Sequence, residues 1–192
     1  FLKAGGAHYF LGGIRIGERC RTSLEGLYAA GEAAGGVFGA GRLGGSALAD
    51  LVVFGTIAGR EAAAEAGRAQ PEIASAVLDT ECRRLNAMLG EEGASAAEVT
   101  AELRSTMWRG CGLTKTRRSL EWALEVIGSL EARRPELRVG SVAGLREGLE
   151  CGCMLTLARL IASASLLRDE SRGAYWRLDA PEPDNARWLR NT

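Results

Sequence analysis

Within the first fifty residues, four side chains are of kinds that bind or transform small polar molecules: His8, Glu32, Arg42 and Ser46. His8 is the only histidine of the chain, and an imidazole donates a hydrogen bond in either protonation state. A guanidinium such as that of Arg42 holds a carboxylate through two parallel hydrogen bonds. A carboxylate such as Glu32 accepts from paired hydroxyls. Each also has a plainer reading. A lone histidine beside aromatics is commonly a strand-edge residue, most arginines are solvated, and Glu32 can cap a local turn. Arg42 is set apart by its surroundings, as the only permanent charge within the loop Gly35 to Arg42, with Gly44 and Gly45 just beyond.

The elements that must position these groups are legible in GEAAGGVFGAGRLGGSALAD, Gly31 to Asp50. A short apolar run, Leu27 to Ala30, leads in and reads as a strand. A helical run over Ser46 to Ala66 leads out, with Ser46 placed to cap it. A helix beginning directly after a glycine loop turns free N–H groups and a partial positive charge toward whatever lies there. The stretch therefore reads as a strand, a permissive loop and a helix start that hold an anionic or strongly polar ligand. The helix is uncharged from Leu51 to Gly59, which predicts burial on most sides. Gly39 to Gly44 also fits G-x-G-x-x-G, but no strand immediately precedes it. The acidic residues about 20 positions on, Glu61 to Glu65, fall within the same helix, so the dinucleotide fingerprint is not satisfied.

His8-Tyr9, Gly12-Gly13-Ile14 and the run LYAAGEAAGGVFGAGRLGGSALADLVVFG together resemble the flavoprotein subunits of fumarate reductase and succinate dehydrogenase, and L-aspartate oxidase. The family pattern H-G-A-N-R-L-G-x-N-S-L is matched in order and spacing by Phe38 to Leu48. Glu170-Ser171-Arg172-Gly173-Ala174 resembles the family's E-S-R-G-A-H, with Tyr175 at the histidine. The resemblance implies FAD as cofactor and a small dicarboxylate as substrate. It implies that His8 and Arg42 hold the substrate, and that Glu32, with Gly31, meets the flavin's sugar chain. Ser46, Ala47 and Leu48 would wrap the pyrimidine end of its ring. Phe38 stands for a histidine, Gly41 for an asparagine and Ser46-Ala47 for Asn-Ser, so backbone contacts are preserved where side-chain contacts are not. The resemblance further implies a C-terminal portion, with the nucleotide-binding glycine motif and the proton-donating arginine upstream of Phe1. An iron–sulfur subunit or a second copy is the partner it suggests. An adenylylsulfate-reductase-like flavoprotein and a non-catalytic helical interaction module are the alternatives.

Composition narrows the function classes. The 192 residues suffice for one domain or two small ones. Twenty-four basic residues balance twenty-four acidic ones, without the basic excess that nucleic acid or a membrane surface demands. Five cysteines, Cys20, Cys82, Cys111, Cys151 and Cys153, include no C-x-x-C, and one histidine cannot complete a zinc set. Buried free thiols in a reducing cytosol follow. With no signal peptide and no apolar run near 20 residues, a cytoplasmic protein is expected, or one peripheral at the membrane through a partner subunit.

The fold class expected is α+β, mainly α: the C-terminal piece of an FAD-binding α/β domain over 1–68, an antiparallel helical bundle over 69–172 and a tail over 173–192. Strand-like Ala7 to Ile14 and a hairpin or loop over Arg15 to Glu25 open the first part. Four helices are expected after it, over Pro71–Leu89, Ser95–Trp108, Thr116–Ala132 and Val142–Ser171. Ser95 and Glu98 lie at capping-box spacing. Trp108, Arg109, Lys115, Arg117 and Arg118 read as a solvated basic face with one buried aromatic, and the polar tail as peripheral, pinned by an Arg172 salt bridge.

Overall fold

The computed structural model describes residues 8–67, 72–90 and 92–189. It divides into two compact units. Unit 1 comprises 1–72, 172–174 and 184–192; unit 2 comprises 73–171 and 175–183.

Unit 1 is built on helix α1, Ser46–Ala66, the extent that the glycine punctuation predicts. The segment after His8 contributes an isolated parallel bridge, Ile14 to Ala34, rather than a strand. There Ile14 N donates to Ala33 O at 2.8 Å and Gly35 N to Ile14 O at 3.0 Å. The two backbones approach so closely that a Cβ at Gly13 would strike the Ala33 carbonyl, which explains the glycine. Cys20 to Ala29 turns back on itself through the antiparallel bridge Arg21 to Tyr28. This hairpin is tied to α1: the Cys20 thiol lies against Phe54 O at 3.5 Å, and the Tyr28 hydroxyl bonds the Glu65 carboxylate. A short 3-10 turn, Gly31–Ala33, follows, and α6, Asn185–Trp188, belongs to the same unit.

One expectation about α1 is overturned. Of its 21 residues only Asp50 is buried, while Leu48, Leu51, Val52 and Val53 are each more than half exposed. The segments packed on α1 cover one flank only.

Unit 2 holds α2, Ser75–Ala87; α3, Ala96–Cys111; α4, Arg117–Ala132; and α5, Leu145–Leu167. Helices α3, α4 and α5 pack against one another around Val99, Leu103, Ile127, Leu130, Cys151 and Leu155. Burying each of the larger aliphatic side chains contributes about 1.5–3 kcal/mol. Ser95 caps α3 by accepting from Glu98 N, and Thr116 caps α4 in a reciprocal box with Ser119. Gly110 lets α3 approach α4, since a Cβ there would meet Ala123. Helix α2 buries none of its residues, so three helices rather than four make the core.

Two two-stranded parallel pairs complete unit 2: β1, Ala94–Ser95, with β3, Leu137–Arg138, and β2, Thr114–Lys115, with β4, Trp176–Arg177. The tail is therefore not peripheral. Arg177 is 1 % exposed, forks onto Asp179 at 2.9 and 2.7 Å, and donates to the carbonyl of Arg168 at 3.0 Å. Its charge is matched in place, which is what permits a polar tail to enter a core. The basic face is corrected too. Trp108 is exposed, whereas Lys115 is buried with its ammonium 4.9 Å from the centre of the Tyr175 ring. Arg172 bonds Asn185 Oδ1 at 2.8 Å.

The expectation of no apolar run long enough to cross a membrane is too strict. Val142–Leu167 has that length and composition, but Cys151, Leu155, Ala158 and Ala162 along it are core residues. The thiols also divide: Cys20 and Cys151 are buried, Cys82 and Cys153 exposed.

Candidate functional site

Unit 1 brings the chemically useful residues together at the start of α1. Gly45, at φ 85, occupies the N-cap position in a left-handed conformation that favours glycine, and no side chain caps the helix. Ser46 is the first helical residue instead, and its hydroxyl donates back to Leu43 O at 2.6 Å. The positive end of α1 is thus left without a capping oxygen, and its first turn carries no acidic residue. The backbone of Ser46, Ala47 and Leu48 forms that end.

Arg42 reaches back from the loop onto Tyr9, its guanidinium carbon 4.3 Å from the ring centre. Phe38 stacks edge-on against the same ring, with centroids 5.7 Å apart. Arg42 Nε is sealed from solvent without a hydrogen-bond partner among the described residues. Asp50, on the buried side of α1, raises the pKa of Tyr9 as a charge and as an acceptor, after burial of the phenol, the larger cause. Glu32 adds to the rise, and Arg42 opposes it. Tyr9 Oη and Asp50 Oδ2 nonetheless fall short of a well-formed hydrogen bond, and both are buried and unpartnered among the described residues.

Glu32, second in the 3-10 turn, accepts from Phe10 N at 2.9 Å. It ties the His8-Tyr9-Phe10 segment to the turn rather than capping the turn itself. Gly31, at φ 69, is buried against Leu51, where a Cβ would not fit. His8 is exposed, one residue from the ring that Arg42 covers. From the far end of the chain, Ala174 N donates to Ala40 O at 2.9 Å, so the Arg172-Gly173-Ala174 triplet docks on the glycine loop.

Two residues of this cluster escape a reading of the sequence by residue type: Tyr9, which passes for a packing aromatic, and Asp50. The signal for Asp50 is present all the same. It is the only charge between Ser46 and Gly59, in a run otherwise apolar. Among the described residues no group of three or more metal-ligating side chains occurs.

Comparison with known proteins assigns the lineage. Residues 4–48 match the family described as FAD binding domain, and residues 100–192 match the family described as fumarate reductase flavoprotein C-term. The chain belongs to the fumarate reductase and succinate dehydrogenase family of FAD-dependent flavoproteins. It is 42% identical over 180 residues to a fumarate reductase (CoM/CoB) chain of Methanothermobacter marburgensis, an alignment covering 92% of this chain and 33% of that protein. Against the E. coli quinol fumarate reductase FrdA carrying an E245Q mutation the TM-score is 0.85 at 32% identity, over 95% of this chain and 33% of the other. The adenylylsulfate reductase of Archaeoglobus fulgidus shares the fold, with a TM-score of 0.73 at 20% identity over 88% of this chain and 29% of the other. The chain spans about a third of the length of the curated relatives it matches.

Proposed function

We propose that this chain is the C-terminal part of an FAD-dependent oxidoreductase that moves a hydride between the flavin and a small dicarboxylate. The observation that carries the reading is the placement of Arg42. A guanidinium projects from a glycine loop at an uncapped helix start and lies on the ring of Tyr9, the residue after His8. That is a carboxylate fork held ready for use.

The residues fit the flavin. Gly45 in its left-handed conformation and the uncapped start of α1 make a backbone cradle in which Ser46, Ala47 and Leu48 would meet the pyrimidine end of the ring, where negative charge gathers on reduction. Glu32, held by Phe10 N through one oxygen, would use the other for hydroxyls of the sugar chain beside Gly31. FAD supplies the two-electron chemistry when bound. His8 and Arg42 would orient the dicarboxylate.

In this reading, residues 1–68 complete an FAD-binding domain begun by the N-terminal part of the flavoprotein. Residues 69–172 form an antiparallel helical domain, and 173–192 close the chain. An iron–sulfur subunit or a second copy is the expected partner, with a cytoplasmic or membrane-peripheral location. The adenylylsulfate-reductase-like reading has only the shared fold behind it. A non-catalytic interaction module is separated from both by colour. Produced together with the N-terminal part of the flavoprotein, the complex should be yellow and carry FAD; colourless protein would support the module.

A further inference from the structure

We propose that the Arg172-Gly173-Ala174 triplet is a clamp on the glycine loop, and that Gly173 and Ala174 are positioning residues for Arg42. This rests on the substrate role of Arg42 proposed above.

The loop is two turns with Arg42 between them. Gly41 N donates to Phe38 O at 3.3 Å and closes the first; Ser46 N donates to Leu43 O at 3.3 Å and closes the second. The second runs straight into α1 and is fixed by it, with the Ser46 hydroxyl on the same Leu43 oxygen at 2.6 Å. The first has little of its own to hold it. It contains Gly39, at φ 56, and Gly41, and a Cβ at either would face open space. Glycine loses more conformational freedom on folding than any other residue, so such a turn keeps one shape only where something outside it supplies the hold.

That hold sits at the apex of the turn. Ala174 N donates to Ala40 O at 2.9 Å, and Gly173, at φ 58, lies so close that a Cβ on it would strike the same oxygen. Among the described residues, no other hydrogen bond joins residues 38–43 to a segment beyond the loop and α1. The triplet is itself anchored, since Arg172 donates to Asn185 Oδ1 at 2.8 Å and Asn185 opens α6. Both ends of the clamped turn lead to one ring. Phe38 meets Tyr9 edge-on with centroids 5.7 Å apart, and Arg42, one residue past the turn, lies over the Tyr9 face at 4.3 Å. Pinning Ala40 therefore fixes the point from which Arg42 departs. Once released, the turn samples shapes in which the guanidinium is off the ring, and dicarboxylate affinity falls in proportion to the fraction of molecules still competent.

The experiment uses the FAD-loaded full-length flavoprotein, with malonate as probe in titration of the flavin absorbance and fumarate in steady-state turnover. Ala174→Pro deletes the donor, Gly173→Ala puts a methyl group where the Ala40 carbonyl lies, and Ala174→Ser keeps the N–H. The first two should each weaken malonate about 5-fold, the size of one backbone hydrogen bond, with flavin content unchanged. Both should raise KM for fumarate more than they lower kcat, and Ala174→Ser should bind as wild type. Combined with Arg42→Ala, neither should weaken malonate further, because both act through the guanidinium. Wild-type malonate affinity in Ala174→Pro and Gly173→Ala overturns the proposal. So does an equal loss in Ala174→Ser, or losses that multiply with that of Arg42→Ala. If neither variant folds, the wild type decides. Clamping and binding favour each other reciprocally, so malonate should slow hydrogen exchange at the Ala174 amide in wild type and not in Arg42→Ala; unchanged exchange in wild type overturns the proposal. Arg42→Ala also separates the two levels. Lost malonate binding there with the clamp variants unaffected removes only this inference, while unaffected binding in Arg42→Ala removes the substrate role beneath it.

Discussion

The guanidinium of Arg42 lies on the aromatic face of Tyr9, 4.3 Å from its centre, and so the glycine loop and the His8-Tyr9 segment share one site. Planarity matters as much as charge here. Lysine keeps the charge but loses both the stack and the two-pronged grip. Arg42→Lys should lower dicarboxylate turnover by about 10- to 100-fold, the range for losing one hydrogen bond to a charged group, with flavin content unchanged. Steady-state kinetics against flavin absorbance checks it.

Glu32 joins the 3-10 turn to the same segment through Phe10 N at 2.9 Å. Glu32→Ala removes that bond and the oxygen proposed for the flavin's sugar chain, and should weaken FAD retention by about 10-fold, the effect of one or two lost hydrogen bonds. Glu32→Gln keeps an acceptor for Phe10 and should lose less. FAD released per mole of protein on dialysis measures both.

Gly173 is fixed by a close approach. Its φ of 58 is a conformation that L residues rarely take, and a Cβ would be driven into the Ala40 carbonyl that Ala174 N binds. Gly173→Ala should cost about 1–3 kcal/mol through strain at this contact. Urea unfolding gives the stability, and increased protease cleavage between Gly39 and Arg42 would locate the loss.

The helix boundaries were legible because local chemistry sets them. Gly44-Gly45 fixes the start of α1 at Ser46, and Ser95 and Thr116 cap the helices they precede. Propensity favours serine as the cap at the start of α1. The left-handed turn the loop needs puts Gly45 at that position and moves the serine one place on. The exposure of α1 could not be read from its apolarity, which says what a helix can bury but not whether this chain supplies the cover. Arg177 was hidden for the opposite reason. A charged residue in a polar tail looks solvated until its partner Asp179, two residues on, and the carbonyls of the α5 end are seen around it. Arg42, Glu32 and His8 could be picked out by type and spacing, whereas Tyr9 and Asp50 emerge only in the folded chain, where Arg42 covers the Tyr9 ring and Asp50 is the buried residue of α1.

The Arg177–Asp179 pair has a pH signature. The guanidinium fork holds the Asp179 carboxyl at about 2, below its ordinary 3.8. A depressed carboxyl contributes stability that is fully present above about pH 4 and is lost as pH falls toward 2. Asp179→Asn removes the charge that Arg177 is buried against. It should destabilise unit 2 by about 2–3 kcal/mol near neutral pH. Arg177 keeps its carbonyl contacts and Asp179 is partly solvated, which holds the cost near the low end. The gap between wild type and variant should close between pH 4 and 2. Chemical denaturation at stepped pH tests both size and sign.

The most direct test of the account is malonate affinity in Arg42→Ala, measured by titration of the flavin absorbance in the FAD-loaded flavoprotein. Loss of about 100-fold or more with full flavin content is expected if the guanidinium holds a substrate carboxylate. Equal affinity in the variant and the wild type would contradict it.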